Sequence, residues 1–288
     1  MISYRHHIVS LVAVFLALAV GVVLGGGPLS ELGRDDRPPA AAMSAQQTGA
    51  RIAEYGDAFA TSAAPTLYAG RLQEHPVAVV TMPGAAPDVV GALTDQVAAA
   101  GGTVAGTYAV RRALVDPSQK SLVDTLGAQL AAQLGDAAVA PEASTYDRIG
   151  QLLGLAVAPD GLAAADVRAV RESLAGAELL DPPAEVGPAE VVLVLLGDRT
   201  DPAVLSGVVS GLAAQAPGVV VAGETATAAA GGDLVTLRGE EAAATVATVD
   251  GAETALGQVT TTLALIGSLT TQGGSFGASG SDGAVPLT

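Results

Sequence analysis

The sequence predicts an α/β protein in which one N-terminal transmembrane helix precedes an extracytoplasmic domain with a mostly parallel sheet flanked by helices. Three observations lead to this fold class. An uncharged apolar run lies near the first residue, short valine-rich runs occur at Val77–Thr81 and Val191–Leu196, and apolar residues at helical spacing follow each of these two runs. Continuous apolar runs of this length are typical of parallel strands that helices cover on both faces.

The N-terminal run extends from Ile8 through Leu16 to Leu24, after a positively charged Arg5. With the glycines and Leu29 that follow, it reaches the roughly 20 residues that a helix needs to cross a membrane. We predict that residues 1–29 form an uncleaved signal anchor, because the run is long and no A-x-A cleavage site ends it; a cleaved signal peptide is the alternative. The charge distribution favours a single-pass protein of the cytoplasmic membrane with its C-terminal domain outside the cytoplasm.

Residues 30–74 are predicted to form a linker and a juxtamembrane helix. Charged residues and two prolines at positions 35–39 keep the linker stiff and solvated. Ile52, Tyr55 and Phe59 then fall at helical spacing, which predicts a short helix within residues 43–60. The apolar face of this helix is a candidate surface for self-association, so a homo-oligomer, in the simplest case a homodimer, is an expected assembly.

The folded domain is predicted over residues 75–271 and opens with a strand–helix–strand unit. Two apolar runs stand on either side of a helical pattern, which a pair of glycines ends. Such a unit crosses over with the right hand. Its parts are the strand Val77–Thr81, the helix face Val89, Leu93 and Val97, and the strand Thr103–Tyr108.

A helical block and a second series of strands and helices complete the predicted domain. In the block, a repeat every four residues predicts one helix, with leucine at positions 122, 126, 130 and 134, and two further helices are predicted around Tyr146–Leu155 and Val167–Leu174. The second series comprises the strand Val191–Leu196, a helix face at Val204, Val208 and Leu212, strands at Val219–Val221 and Leu234–Leu237, and a helix from Ala252 to Leu269. Residues 272–288 are rich in glycine and serine, and we predict a disordered tail there.

The composition excludes several partners and sites. The 288 residues include 29 Asp and Glu against 13 Lys and Arg, a formal net charge of −16. A surface of that sign repels phosphate backbones, so we predict no nucleic-acid partner. The chain has no cysteine, which rules out disulfide bonds, thiolate nucleophiles and cysteine metal ligands.

The predicted strand ends carry no signature of an enzyme. Ligands bind at the carboxyl ends of parallel strands, which here are the loops Thr81–Gly84, Gly197–Asp201 and Gly223–Thr225. None of these loops matches a dinucleotide or phosphate-loop fingerprint. Polar side chains at Asp198, Arg199 and Asp201 could line a site, but a solvated turn with a helix cap is the favoured interpretation.

A serine motif near the C-terminus does not change this prediction. Residues Gly273–Gly277 match G-x-S-x-G formally. A nucleophile elbow needs a strand before the motif and a helix after it, whereas this match lies in the predicted tail. No histidine follows it along the chain, because the last one is His75. We therefore predict that the protein is not an enzyme.

Two residues are weak candidates for metal binding. His75 and Met82 flank the first predicted strand, and both are residue types that bind soft metals. A shared metal site is one interpretation; the other is that the two residues fill the edge of the sheet and the core. The other histidines, His6 and His7, fall on the cytoplasmic side of the predicted anchor. We predict no resident cofactor.

Both ends of the chain resemble a known family. The opening reads Met1-Ile-Ser-Tyr-Arg-His-His and then Val9-Ser-Leu-Val-Ala-Val-Phe-Leu-Ala-Leu-Ala-Val-Gly-Val-Val-Leu-Gly25; later blocks are Val221-Ala-Gly-Glu, Thr248-Val-Asp250, Gly257-Gln-Val and Leu263-Ala-Leu265. These blocks bracket nearly the whole chain and resemble the MctB-like copper transporter family of actinobacteria. The resemblance implies copper transport or copper homeostasis in the cell envelope, with copper as a transported or bound ion and with outer-membrane association in some members.

The chain departs from that family in two respects. Its juxtamembrane helical region looks short, and its tail has no histidine. No metal ligand carries over by position. Two functions therefore stay open: copper transport or homeostasis, and a membrane-tethered scaffold that binds an envelope, cell-wall or cell-separation partner without metal chemistry. A scaffold should bind a protein partner and ignore copper.

Overall fold

A computed structural model of the protein describes residues 40–135, 138–159 and 161–287. The predicted signal anchor, with Ile8, Leu16 and Leu24, lies outside these residues, as does the linker up to residue 39. None of the helices within the described ranges is both long enough and apolar enough to span a membrane. The chain divides into two compact units, Met1–Glu54 and Tyr55–Thr288, and the second contains the sheet.

Helices and strands alternate along the described chain. The strands are β1 (Val77–Thr81), β2 (Val104–Val110), β3 (Leu180–Asp181), β4 (Val191–Leu195), β5 (Gly218–Gly223), β6 (Ala247–Asp250) and β7 (Ser275–Phe276). The helices are α1 (Ala40–Tyr68), α2 (Pro87–Ala99), α3 (Arg112–Val115), α4 (Lys120–Leu134), α5 (Thr145–Val157), α6 (Ala164–Gly176), α7 (Pro202–Ala213), α8 (Asp233–Arg238) and α9 (Ala255–Ser268). Single 3-10 turns occupy Pro117–Gln119, Thr225–Ala228 and Glu241–Ala244.

The strands form one sheet in the order β3-β2-β1-β4-β5-β6-β7. Every neighbouring pair is parallel except β2 and β3, which are antiparallel. In the register of the central strands, Val77 of β1 lies opposite Val191 of β4, which in turn lies opposite Gly218 of β5. The prediction of an α/β domain with a mostly parallel sheet is confirmed.

Helices cover both faces of the sheet, as the continuous apolar strands require. Successive side chains of a strand point to opposite faces, so Ala78 and Val80 of β1 join the core beneath helices α4 to α8. Val77 and Val79 of the same strand join the second core, beneath α1, α2 and α9. All five residues of β4 are buried. A strand covered in this way reads as an uninterrupted apolar run, which is why the sequence revealed it.

Glycines let α5 and α7 approach each other closely. A Cβ on Gly211 of α7 would lie 2.0 Å from the carbonyl oxygen of Asp147, and one on Gly150 of α5 would lie 2.4 Å from that of Val208. Both distances are shorter than any real carbon–oxygen contact. Backbone therefore packs directly on backbone here, in a core that the sequence builds from small side chains rather than aromatic ones.

Two predicted elements differ in the structure. Residues Leu234–Leu237, predicted as a strand, lie in helix α8, where Leu234 and Leu237 are both buried one turn apart. The adjacent strand β6 was missed, because its four residues include Thr248 and Asp250, which interrupt the apolar pattern although they are buried.

The helix predicted from the leucine repeat is present as α4, but not all four leucines lie in the core. Leu130 is buried, and Leu126 and Leu134 pack partly buried against the same core, whereas Leu122 is 43% exposed. Residues four apart are rotated by about 40° relative to each other on a helix with 3.6 residues per turn. Four leucines at that spacing drift around the helix, so they do not all face the same core.

Residues on both sides of the predicted range 75–271 pack with the sheet. At the N-terminal end, Ala60, Ala64 and Tyr68 of α1 are buried in the same core as β1, so the fold takes in residues that were assigned to a separate juxtamembrane helix. That helix is also longer than expected, with 29 residues. At the C-terminal end, β7 pairs with β6 inside the predicted disordered tail. Composition did not indicate this pairing, because it does not show which backbone groups find partners.

Candidate functional site

The topological switch point of the sheet lies between β1 and β4. The chain places β2 on one side of β1 and then returns to add β4, β5 and β6 on the other side. In open α/β sheets, ligands bind in the crevice outside the carboxyl ends of two such strands. The topology therefore brings together two of the predicted loops, Thr81–Gly84 and Gly197–Asp201.

Backbone atoms fill this crevice. A Cβ on Gly197 would lie 2.1 Å from the nitrogen of Ala85, and the N–H of Asp198 donates to the carbonyl of Pro83 at 2.6 Å. Gly84, at φ +82°, packs against the side chain of Asp198. The cavity left beside β4 and β5 has a volume of about 10 Å³, room for about one water molecule at most. The switch point has no space for a nucleotide.

The three polar residues predicted at the end of β4 do not converge. Asp198 forms an ion pair with Arg112. Asp201 accepts hydrogen bonds from the backbone N–H groups of Ala203 and Val204, so it caps helix α7. The interpretation of Asp201 as a helix cap is confirmed.

A buried carboxylate lies next to this turn. Asp233 is 8% exposed, and its Oδ2 accepts a hydrogen bond from the N–H of Thr200 at 2.8 Å. Burial raises the pKa of Asp233, while the hydrogen bond from Thr200 and the charge of Arg199 oppose the change. Arg199, Glu224 and Asp233 also border a shallow hollow of about 280 Å³. The carboxylate joins the turn after β4 to the first turn of α8.

The two weak metal candidates lie at opposite ends of strand β1. His75 precedes β1, where its Nδ1 is 2.7 Å from a carboxylate oxygen of Glu190. Met82 follows β1 and is 3% exposed within the core. At about 3.3 Å per residue, the strand between them separates the two by roughly 20 Å, so they cannot share an ion. The described residues contain no group of three or more His, Cys, Asp or Glu placed to hold a metal.

A hydrogen-bonded network that the sequence did not reveal lies at the end of β6. Asp250 is 2% exposed, and its carboxylate binds the guanidinium of Arg238 at 3.3 Å and the N–H of Ser279 at 3.1 Å. Arg238 also donates to Thr248, to Ser279 and to the carbonyl of Phe276. An open cavity of about 630 Å³ adjoins the network. These bonds hold the C-terminal segment against the sheet.

The G-x-S-x-G match belongs to this segment. Ser275 lies in β7 itself, and its N–H donates to Asp282 at 2.8 Å. Helix α9, not a strand, precedes it along the chain. The nucleophile elbow is therefore not formed, and the segment that the sequence indicated as a tail pairs with the sheet through β7.

An uncharged, partly aromatic surface lies on α1. Tyr55 and Phe59 are 74% and 63% exposed, and Leu256 at the start of α9, beside Gly56, is 45% exposed. Asp57 accepts a hydrogen bond from the N–H of Leu256 at 3.1 Å, which fixes the two helices to each other. Ile52, at the preceding position of the predicted stripe, is 66% exposed.

Comparison with known proteins places the chain in a family. The family described as "Copper transport outer membrane protein, MctB" matches residues 1–287. The chain belongs to this family. Proteins named "Copper transporter MctB" from Mycobacterium bovis and Mycobacterium tuberculosis are each 28% identical over 299 residues, which covers 92% of this chain and 92% of theirs. The protein of that name from Mycobacterium leprae is 34% identical over 153 residues, covering 47% of this chain and 48% of its own.

The MctB-like sequence blocks have structural roles in this protein. Thr248 and Asp250 accept hydrogen bonds from Arg238. They therefore belong to the network that holds the C-terminal segment against the sheet. Gly257 lies so close to the carbonyl of Gly251 that a Cβ would come within 1.9 Å of it. Leu263 and Leu265 are buried in the core. The family pattern at this end of the chain therefore marks the fold rather than a ligand set.

Proposed function

We propose that this chain acts in copper transport or copper homeostasis in the cell envelope, with copper as its cargo. The family match over residues 1–287 carries the proposal. It includes both the N-terminal segment and the α/β domain, so it applies to the architecture as a whole. The family is described by transport and not by a reaction, and the filled switch point is consistent with a role other than catalysis.

The proposal places the chain in the cytoplasmic membrane, with residues 1–29 as an uncleaved anchor and the α/β domain on the far side. Support comes from the uncharged run Ile8–Leu24 and the positive charge before it. The family description names the outer membrane, which gives the alternative location. Separation of the two membranes by density, followed by detection of the chain, distinguishes these locations.

Copper handling is tested in the native host. We expect that deletion of the gene changes the copper content of cells grown at elevated copper, and that the wild-type gene restores it. Cellular zinc, measured in the same samples by mass spectrometry, is the control and should not change. If the copper content and the copper tolerance of the deletion strain equal those of the parent strain, the proposal is wrong.

Binding of copper is tested on the full chain in detergent micelles. Titration with Cu(I) and Cu(II), each followed by calorimetry, reports stoichiometry and affinity. His75→Ala removes the half-exposed candidate copper ligand. Met82→Leu removes the buried candidate ligand while it preserves the volume of the side chain. Because Met82 lies inside the core, we expect its replacement to leave any binding unchanged.

A tethered scaffold is the second candidate function. Two observations favour it: the switch point is filled by backbone, and α1 exposes aromatic side chains in an otherwise acidic protein. Such a scaffold would recruit an envelope or cell-wall protein. It predicts that the deletion strain shows a defect in wall remodelling or cell separation while its copper content stays at the parental level.

A further inference from the structure

The C-terminal segment lines the cavity beside β6. The cavity has a volume of about 630 Å³, which lies within the roughly 300–1,000 Å³ of small-molecule sites. Part of the lining comes from β6, from α8 and from the residues that follow α8. The C-terminal segment supplies the rest of it, namely Gly274, Ser275, Ser279, Ser281 and Asp282. A run of glycine and serine that resembles a low-complexity tail is therefore one wall of a cavity.

Two glycines give this wall its shape. Gly274, at φ +112°, and Gly277, at φ +103°, adopt backbone conformations that other residues rarely adopt. A Cβ on Gly277 would lie 2.0 Å from the Oδ1 of the buried Asp250. Glycine is therefore required where the segment passes the carboxylate that retains it. The G-x-S-x-G match, which the proposed function leaves unexplained, shapes the wall of the cavity.

An arginine in a fixed position borders the cavity. The Arg238 side chain is only 12% exposed, and it donates hydrogen bonds to Thr248, Ser279, Asp250 and Phe276. A guanidinium has five N–H donors, so one N–H of Nη1 is left without a partner in the described part of the chain. The carboxylate of Asp250 balances the charge. Arg238 therefore offers a ligand a hydrogen-bond donor but little net positive charge.

The other polar groups of the lining suit hydroxyl groups. The Oγ atoms of Ser275 and Ser281 make no hydrogen bond within the described ranges, and each can donate as well as accept. Glu240 and Asp282 add carboxylates that form no ion pair with any described cation. These carboxylates repel phosphate and other anionic ligands. A ligand that bears hydroxyl groups can donate to the carboxylates and accept from Arg238.

We propose that this cavity binds an uncharged saccharide. Hydroxyl groups of the sugar bond to Ser281, to Glu240 and to the remaining N–H of Arg238. The side chains of Val235, which is 40% exposed, and of Ala243 give an apolar patch beside these groups. The C–H face of a pyranose ring is apolar and packs against such a patch.

Saccharide binding is a property additional to the proposed copper transport. A domain on the far side of the cytoplasmic membrane meets the glycans of the cell wall, so the site agrees with the proposed location. The binding itself does not depend on copper or on the membrane. Its test uses no copper readout, so failure of either proposal leaves the other to its own test.

Calorimetric titration of the full chain, in a detergent without a sugar headgroup, tests the site. One probe is the trisaccharide of N-acetylglucosamine, which carries the acetamido groups of wall glycans; the other is maltotriose, which has hydroxyl groups alone. We expect saturable binding of at least one probe with a Kd below about 10 mM. Both preferences support the proposal: tighter binding of the first indicates a wall glycan, and of the second a plain glucan. Absence of binding for both probes contradicts it.

A substitution that fills the cavity locates the binding. Ala244 is exposed and lines the cavity, so Ala244→Phe places a ring there without disturbing the core. We expect this variant to bind the saccharide at least about tenfold more weakly than the wild type. The matched control is Ala226→Phe, at an exposed position of the turn Thr225–Ala228, which should keep the wild-type affinity. Wild-type affinity in Ala244→Phe, or an equal loss in both variants, overturns the proposal.

Hydrogen exchange gives an independent location. A saccharide in the cavity should slow the exchange of backbone N–H groups in residues 274–282, because it restricts the opening of the segment. Residues 226–232, which border a different hollow, should exchange at the same rate with and without the saccharide. Slower exchange elsewhere in the chain, with residues 274–282 unchanged, would show that the saccharide does not occupy this cavity.

Discussion

Asp250 shows how a single residue connects distant parts of the chain. Its side chain is 1% exposed, and its partners are Arg238 from α8 and Ser279 from the C-terminal segment. A buried carboxylate is tolerated when its charge and its lone pairs are all satisfied. The ion pair between Arg111 and Asp181 differs, since both side chains are more than half exposed.

Replacement of Arg238 should therefore be far more damaging than replacement of Arg111. We expect Arg238→Met to lower the free energy of unfolding by about 3–5 kcal/mol, because it leaves the Asp250 carboxylate buried without its cation. Arg111→Met should lower it by at most about 1 kcal/mol, since water screens the exposed pair. Chemical denaturation of the full chain in detergent measures both. Equal effects would contradict the assigned role of Arg238.

The buried Asp233 predicts a dependence of stability on pH. Burial raises its pKa in the folded protein, so the folded state binds the proton more tightly than the unfolded state does. The contribution of Asp233 to the free energy of unfolding therefore falls as pH rises from about 4 through the raised pKa, and then becomes constant. Asp233→Asn can still accept the hydrogen bond from Thr200 but does not titrate. We therefore expect this variant to lose less of its free energy of unfolding between pH 4 and pH 7 than the wild type does.

The comparison needs a control for the other carboxylates. Asp95→Asn removes an exposed carboxylate from α2 and should leave the wild-type pH dependence almost unchanged. Denaturation curves of the wild type and the two variants at pH 4 and pH 7 give the change in the free energy of unfolding between the two pH values for each protein. If Asp233→Asn and the wild type lose the same amount of stability, Asp233 does not titrate as its burial indicates.

At the scale of elements, helix packing depends on where glycine is placed. Gly211 is in contact with the backbone of α5, whereas Gly91 of α2 has no atom within 4 Å of the position of its Cβ. Both lie within helices. The same substitution therefore has opposite expected effects at the two positions.

We expect Gly91→Ala to raise the free energy of unfolding by about 0.4–1 kcal/mol, because alanine loses less backbone freedom in a helix. Gly211→Ala should lower it by about 1–3 kcal/mol or more, since the added methyl pushes α7 away from α5. Thermal unfolding of the two variants and the wild type shows whether each substitution raises or lowers the free energy of unfolding. Stabilisation by both substitutions would show that the α5–α7 contact is looser than the structure has it.

At the scale of the whole molecule, the C-terminal segment completes the sheet. It contributes β7 to the edge of β6, and the N–H of Asp282 donates to the carbonyl of Ser275 on the outer side of β7. The segment therefore covers the row of backbone groups that an open edge would expose, which protects sheets from pairing with other chains.

A chain that ends at Thr271 tests this role. We expect it to be less stable by at least about 1–3 kcal/mol, from the loss of the Ser279 bonds to buried Asp250 alone, and to aggregate more readily through the edge of β6. The control ends at Pro286 and keeps β7 with its hydrogen bonds. Denaturation and light scattering report the two effects. A truncated chain as stable and soluble as the control would restore the prediction of a disordered tail.

The sequence by itself determined the fold class and the central elements of this protein. Strands β1 and β4 could be found because burial on both faces makes them continuous apolar runs, and the helix between Pro87 and Ala99 because one apolar face gives a regular spacing. The family could also be recognised from blocks at both ends of the chain, and in the C-terminal blocks Gly257 makes a close backbone approach while Leu263 and Leu265 pack in the core.

Only the tertiary structure decided which polar groups are buried and which residues meet. Contacts between residues far apart along the chain fill the crevice at the switch point and pair the C-terminal segment with the sheet. The separation of His75 from Met82 likewise follows from the extended strand that the sheet holds between them. Local patterns report the period of a helix or strand and the side that faces the core. They do not report which distant backbone group satisfies a carboxylate such as Asp250, since that partner is brought near only when the whole sheet has formed.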